Sequence, residues 1–377
     1  MREIYFDNSA TTAVCRAACD KAYEVMYENY GNAASLHSKG MRAENEIITA
    51  KKTIADMLSA DKNQIYFTSG GTEANNLAVF GACNSRKKLG NRIVTTQIEH
   101  SSVLEPIKQL ESQGFEVIYI KPDSNGHISE KDILEAVNDN TVFVSIMLVN
   151  NEVGTVLPVL SASKAIKQKK APALLHCDAV QAFGKMNVKP SKLGVDLLTI
   201  SSHKIHGPKG VGALYIKKGV HITPLIYGGE QQSKIRPGTE NVPAIAAFCE
   251  ACKEINLTGS NERVSVLNER LRNHLKEIEG VVINSPDDAS PYIVNFSVLG
   301  IRSETMLHFL AMNGIFVSSG SACAKGKPSY VLTAMGLEKV TADSAIRVSF
   351  CKNNTVEEVD IFAEALKKGI ATLARAK

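Results

Sequence analysis

Asp196-Leu197-Leu198-Thr199-Ile200-Ser201-Ser202-His203-Lys204-Ile205-His206-Gly207-Pro208-Lys209-Gly210-Val211-Gly212 begins as an apolar run and stops abruptly at a lysine. The run is rich in strand formers, and the Gly and Pro residues after it break the chain into a loop. A lysine at the end of a buried strand sits where neighbours can lower its pKa and hold its amine as a nucleophile. Ser201 and His203 beside it are small or switchable donors suited to an anion. The ordinary alternative is a solvated lysine in a loop, the usual fate of lysine. On this stretch alone that alternative leads, so the rest of the chain decides.

Working outward, similar apolar runs occur at Ile65–Phe67, Arg92–Thr96, Glu116–Ile120, Val142–Val149, Ala173–Asp178 and Val211–Ile216. Helical or loop segments separate most of them. Strand and helix alternating in this way predict an α/β fold with a mostly parallel central sheet covered by helices on both faces. Helical patterns are predicted ahead of this region, from the turn-like Asp7-Asn8-Ser9-Ala10-Thr11-Thr12 to about Tyr27 and from Met41 to Leu58. Near Pro243 a long helical region begins, with an interruption predicted at Leu257-Thr258-Gly259-Ser260. Shorter strand-like runs then follow at Val281–Asn284, Ile293–Val298, Ile315–Ser318 and Ala345–Phe350, and an amphipathic helix from Thr355 closes the chain. This second pattern predicts a smaller α+β domain. The expected division is 13–255 for the large domain, with 1–12 and 256–377 forming the small one.

Composition narrows the function classes. The chain of 377 residues is 44% hydrophobic and 22% charged, enough for a sizeable core. A net charge of +4 is mild for this length and argues against a polyanion-binding protein, so no direct nucleic-acid partner is expected. No apolar run approaches the ~18 residues of a membrane helix, and the first residues are too polar for a signal peptide. A cytoplasmic protein without a membrane partner is the expectation. The eight cysteines lack the dense spacing of a secreted disulfide framework. Cys249 and Cys252, like Cys15 and Cys19, lie one helical turn apart, and buried helix cysteines are the expected reading for all four. No metal site is expected.

In an open parallel sheet, ligands gather beyond the carboxyl ends of the strands. After the run ending at Phe67, Ser69-Gly70-Gly71-Thr72 opens a helix, where backbone N–H groups can approach an anion. After Thr96 comes Glu99-His100, an imidazole able to stack on a ring or move a proton. After Val149 comes Asn150-Asn151-Glu152-Val153-Gly154, whose amides can meet a ring hydroxyl. Asp178, with Gln181 three residues on, offers a carboxylate for a pyridinium nitrogen. Each residue has a plain alternative: His100 a core histidine, Asp178 a helix cap, Asn151 a turn residue. Five strand ends that all carry suitable groups, including the one at Lys204, favour a pyridoxal-phosphate site with Lys204 as the Schiff-base lysine.

Thr68-Ser69-Gly70-Gly71-Thr72-Glu73-Ala74-Asn75-Asn76, Glu99-His100, Asn150 to Gly154, Asp178-Ala179-Val180-Gln181 and Ser202 to Gly210 together resemble the class V aminotransferase family. Arg236-Pro237-Gly238-Thr239-Glu240-Asn241 and Ser318-Ser319-Gly320-Ser321-Ala322-Cys323 narrow the resemblance to its cysteine desulfurase branch. The likeness runs from Tyr5 to Ser349. It implies a homodimeric fold-type I enzyme that uses pyridoxal 5′-phosphate to convert L-cysteine to L-alanine and leaves a persulfide on its own cysteine. It further implies that Lys204 holds the cofactor and that Gly71, Thr72, Ser201 and His203 bind its phosphate, with Thr239 contributed by the partner subunit. Asp178 would pair with the ring nitrogen, Gln181 and Asn151 would meet the ring hydroxyl side, and His100 would stack on the ring. Arg347 would clamp the substrate carboxylate, and Cys323 would take the sulfur. A protein acceptor would then receive that sulfur, for example an iron–sulfur scaffold or a thiolation enzyme.

Cys323 also has a reading of its own. It lies among small residues and is followed by Lys325 and Lys327, a cationic setting that favours a reactive thiolate. Pro328 is expected in the first turn of the next helix. Three departures from the family pattern stand out: Gly228-Gly229-Glu230-Gln231-Gln232-Ser233 lacks an arginine common there, Cys351 replaces a common glycine, and the segment after Cys323 is short. Two competing functions are a selenocysteine lyase or other class V lyase or aminotransferase, and a sulfur-relay binding protein without catalysis. The presence of Cys323 argues against the first, and the full set of Lys204, Asp178, His100, Arg347 and Cys323 argues against the second.

Overall fold

The computed structural model describes residues 3–319 and 329–373. Among the described residues twelve strands run in chain order: β1 Ile4–Tyr5, β2 Ile65–Thr68, β3 Arg92–Thr96, β4 Glu116–Ile120, β5 Thr141–Ser145, β6 Leu174–Asp178, β7 Leu197–Ser201, β8 Gly212–Ile216, β9 Val281–Ile283, β10 Ile293–Val298, β11 Ile315–Phe316 and β12 Ala345–Ser349. Seven of them form the central sheet in the order β2-β8-β7-β6-β5-β3-β4. All neighbours are parallel except those of β8, which runs antiparallel to both β2 and β7. The mostly parallel α/β sheet expected from the sequence is therefore present, with one strand reversed. Seven residues connect Lys204 to β8, too few for the helical crossover a parallel strand would need.

The central strands are buried on both faces because successive residues enter different cores. Phe143, Leu174, Leu197 and Leu214 pack with helices Gly71–Arg86 and Ser101–Ser112. Their neighbours Val144, Leu175, Leu198 and Ala213 pack on the opposite side, with helices Ser38–Leu58 and Val242–Lys253. This double burial explains why the runs read as continuous apolar stretches. The run predicted at 142–149 pairs as a regular strand only to Ser145. It nonetheless continues alongside β6, where the Ile146 and Leu148 amides donate to the His176 and Asp178 carbonyls.

A second core joins β10, β12, helix Leu257–Lys276 and helix Val356–Thr372 to Ile4 and Phe6 of the N-terminal segment. There β9, β10 and β12 form an antiparallel sheet, while β1 pairs with β11 in parallel. The predicted interruption at 257–260 is displaced: the helix begins at Leu257, and Asn256 caps it by accepting from the Gly259 amide. The turn-like Thr-Gly-Ser sequence lies inside its first turn. Of the four helix cysteines, Cys249 and Cys252 are buried as expected, but Cys19 is exposed and Cys15 is half-buried at the helix start. Spacing alone placed them on a helix without telling which face is covered. Among the described residues, no helix is long and apolar enough to cross a membrane.

Candidate active site

One cavity opens beyond the carboxyl ends of the parallel strands, where the N-terminal segment and the second core close over the sheet. Its wall contains Gly71, Thr72, His100, Asn151, Asp178, Gln181, Ser201, His203, Lys204 and Arg347. Ten of the residues singled out in the sequence are thus brought together from six separate segments. Thr239 is exposed and outside this wall, on the same chain. Cys323, Lys325, Lys327 and Pro328 lie outside the described residues. The helix that follows them, Tyr330–Ala334, is capped by Ser329, whose side chain accepts from the Leu332 amide.

Lys204 ends the short 3₁₀ turn Ser202–Lys204 after β7. Its Nζ donates to the carbonyls of Ser9 (2.5 Å) and Ala10 (2.8 Å) in the N-terminal segment. Lys185 is buried, and its Nζ donates to Gln181 Oε1 at 2.9 Å. Burial, with the Lys204 charge adding to it, brings the Lys185 amine down to about 7. Because Oε1 of Gln181 accepts from Lys185, its Nε2 faces the other way and donates to the Ser9 carbonyl at 3.0 Å.

Asp178 ends β6 as a buried carboxylate. Its Oδ1 accepts from the Val180 amide at 2.9 Å, and its Oδ2 accepts from Asn75 Nδ2 at 2.7 Å. His100 caps helix Ser101–Ser112, with its Nδ1 accepting from the Ser102 amide at 3.1 Å. Burial holds the imidazole below the usual histidine range, despite the opposing pull of Asp178. Burial, followed by the Lys204 charge, holds His203 at about 4. Both rings are therefore neutral near pH 7.

The anion end of the cavity is built by backbone shape. Gly70 precedes helix Gly71–Arg86 with φ +152° and ψ −179°, a conformation suited only to glycine. A Cβ on Gly71 would lie 3.1 Å from Val180 Cγ2 and 3.5 Å from Ser201 Cβ, filling the space between the helix start and β7. Glu73 in the first turn accepts from Arg236 Nε (2.7 Å) and from the Ser69 amide (2.8 Å). Burial raises its carboxyl, but the bonds from Arg236 and Ser69 outweigh it and leave the group below the usual range. Arg236 thus fastens the segment carrying Thr239 to the turn at Gly71.

Ser201 Oγ and Asn151 Oδ1 are buried, line the cavity and have no hydrogen-bond partner among the described residues. Buried polar atoms are seldom left unmatched, so these two fit a polar ligand seated between them. A helix start, a hydroxyl and a neutral imidazole suit a phosphate; Asp178 suits a protonated ring nitrogen; Lys204 suits a carbonyl carbon. The residues present therefore fit pyridoxal 5′-phosphate.

At the opposite side, Arg347 of β12 is buried and faces the cavity. Its Nη2 donates to Asp7 Oδ1 and its Nη1 to the Asn151 carbonyl, both at 2.8 Å. Ser318 and Ser329 flank the segment that carries Cys323. Ser318 exchanges backbone hydrogen bonds with Arg347, and Ser329 donates its hydroxyl to Glu152. Burial raises the Glu152 carboxyl, against the Ser329 bond and the Arg347 charge. Asn75, Ser102, Asp7, Glu152 and Lys185 are the site residues the sequence reading missed. Two left a trace: Asn75 is four residues after Gly71 on one helix, and Lys185 is four after Gln181.

The aminotransferase class-V family model matches residues 4–362. A curated relative, cysteine desulfurase IscS of Clostridium botulinum (strain Hall), is 41% identical over 97% of this chain and 94% of its own. A solved structure of a NifS-like protein superposes with a TM-score of 0.94 at 38% identity, covering 99% of this chain and all of the other. A second, SspA in complex with cysteine, superposes at 0.83 with 31% identity, covering 93% of this chain and all of the other. The chain belongs to the class V aminotransferase family, and within it to the cysteine desulfurases. Its fold is the fold-type I architecture of a family whose enzymes use pyridoxal 5′-phosphate.

Proposed function

We propose that this chain converts L-cysteine to L-alanine and takes the sulfur as a persulfide on Cys323, with pyridoxal 5′-phosphate held by Lys204. The observation that carries the reading is the convergence of Lys204, Asp178 and His100 on one cavity whose Ser201 hydroxyl and Asn151 amide oxygen lack partners among the described residues. When bound, the cofactor supplies an electron sink beside the substrate amine. Asp178 keeps the sink protonated, and its two donors hold the carboxylate in place. Gly71, Thr72, Ser201 and His203 hold the phosphate, completed by Thr239 of a second copy in a homodimer. Arg347 orients the substrate through its carboxylate, a task suited to a planar fork of donors. His100, neutral at working pH, gives a proton at the substrate and takes it back.

In the sulfur step, the Cys323 thiolate attacks the substrate sulfur. The S–S bond forms as the substrate C–S bond breaks, and the carbon left behind takes up a proton to become alanine. Cys323 lies five residues after Ser318, so its Cα can be no farther than about 18 Å from that of Ser318, which is anchored on Arg347. From Ser329, anchored on Glu152, the limit is about 22 Å. A protein acceptor must therefore dock near the cavity mouth; an iron–sulfur scaffold or a thiolation enzyme has the required chemistry. Residues 13–255 act as the cofactor-binding unit, and 1–12 with 256–377 as the unit carrying the cysteine. Purified protein incubated with the cofactor and L-cysteine should form alanine and, with a reductant, sulfide in equal amounts. No alanine from cofactor-loaded protein would overturn the reading.

A further inference from the structure

Asp178 and His100 are joined by a continuous chain of side chains from three separate elements. Asn75, one turn into helix Gly71–Arg86, places Nδ2 2.7 Å from Asp178 Oδ2 and 2.8 Å from Ser102 Oγ. A carboxylate can only accept, so the amide nitrogen must face Asp178, and its two hydrogens serve the two oxygens. With one lone pair of Ser102 Oγ filled by Asn75, the hydroxyl proton is free to point at His100 Nδ1, 2.7 Å away. The Ser102 amide donates to the same nitrogen. Two donors on Nδ1 leave no room for a proton there, so the ring proton sits on Nε2. Asn75 is buried, and its Oδ1 has no partner among the described residues, so the two bonds from Nδ2 set the amide's orientation.

We propose that Asn75 and Ser102 are positioning residues that tie Asp178 to His100 and lock the imidazole as its Nε2-protonated tautomer. The proposal rests on the reading of Asp178 and His100 as the groups that face the cofactor ring. One consequence is that His100 meets its ligand with a fixed N–H rather than an exchangeable lone pair. Another is that Asn75 holds Asp178 Oδ2 from the side, while the Val180 amide holds Oδ1. Orientation of both ring-facing groups thus depends on one amide, that of Asn75. The charges that reach the His100 ring come from Asp178, at the end of β6, which favours its protonation, and from Lys204, after β7, which opposes it.

The test uses full-length protein labelled with nitrogen-15 in histidine, with and without pyridoxal 5′-phosphate, and follows the His100 ring resonances against pH. His100→Asn identifies the signals. In the unsubstituted protein, Nε2 carries the proton and the ring titrates below the usual histidine range. Ser102→Ala removes a donor to the neutral ring, so its midpoint should rise by about one pH unit. The acid limb of the kcat profile should move with it, and Ser102→Thr, which keeps the hydroxyl, should restore both. Should Ser102→Ala fail to fold, Asn75→Ala takes its place and should shift the midpoint in the same direction by less. Unchanged tautomer and midpoint in a folded variant would overturn the proposal. Failure of the unsubstituted protein to bind cofactor or form alanine would instead overturn the functional reading, and the ring signals would report on the link separately.

Discussion

Arg347 Nη2 donates to Asp7 Oδ1 at 2.8 Å, tying the guanidinium that faces the cavity to the first segment of the chain. The same segment bonds to β12 through the Ser349 amide and the Phe6 carbonyl, and its Ser9 and Ala10 carbonyls receive Lys204. Asp7→Ala should leave a buried guanidinium short of a partner and free it to turn. The expected stability loss is about 1–3 kcal/mol by chemical denaturation. The KM for L-cysteine should rise about tenfold with a smaller change in kcat, since carboxylate binding precedes the chemistry. An unchanged KM would show that Asp7 does not orient Arg347.

Lys204→Ala should abolish turnover and leave the visible absorbance of added pyridoxal phosphate removable by dialysis, while fold and dimer persist. The contacts at Gly71, Ser201 and His203 do not depend on the Lys204 amine, so cofactor should still bind, but exchangeably. Tightly retained cofactor absorbance together with activity in the variant would remove Lys204 from its role.

The pH dependence of stability should carry the mark of Lys185. Its amine titrates at about 7 in the folded chain, well below the ordinary lysine value near 10.5, because burial disfavours the charge. Between those values the unfolded chain binds the extra proton, so stability rises with pH across the window. Below about 7 both states are charged and the cost of burial is complete. Lys185→Met should therefore have its most favourable stability relative to the parent at or below pH 7, and that advantage should shrink towards pH 10. Denaturation curves at several pH values, compared between the two proteins, check this; a difference that is flat with pH would contradict it.

Much of this arrangement was legible in the sequence because the sheet is buried on both faces. Runs such as Leu197–Ser201 show as unbroken apolar stretches, and the polar residue ending each run is placed at a ligand-binding edge. Reversal of β8 was not legible, since a buried strand looks the same in either direction. The link from Asp178 to His100 was hidden for a different reason: Asn75 lies 103 residues from Asp178 and 27 from Ser102. No local spacing announces such a contact. Lys185 was missed because a lysine four residues after a glutamine usually reads as a solvated helix face. Exposure of Cys19 was misread because helical spacing fixes a face but not what covers it.

The central claim is that sulfur leaves L-cysteine for Cys323. Cofactor-loaded protein would be treated with L-cysteine carrying isotopically labelled sulfur, alkylated without reductant, digested and analysed by mass spectrometry alongside Cys323→Ser. The account predicts one labelled sulfur added to the peptide containing Cys323, alanine formed in step with it, and neither persulfide nor repeated turnover in the variant. Labelled sulfur on another cysteine, or alanine formed at the parent rate by Cys323→Ser, would contradict it.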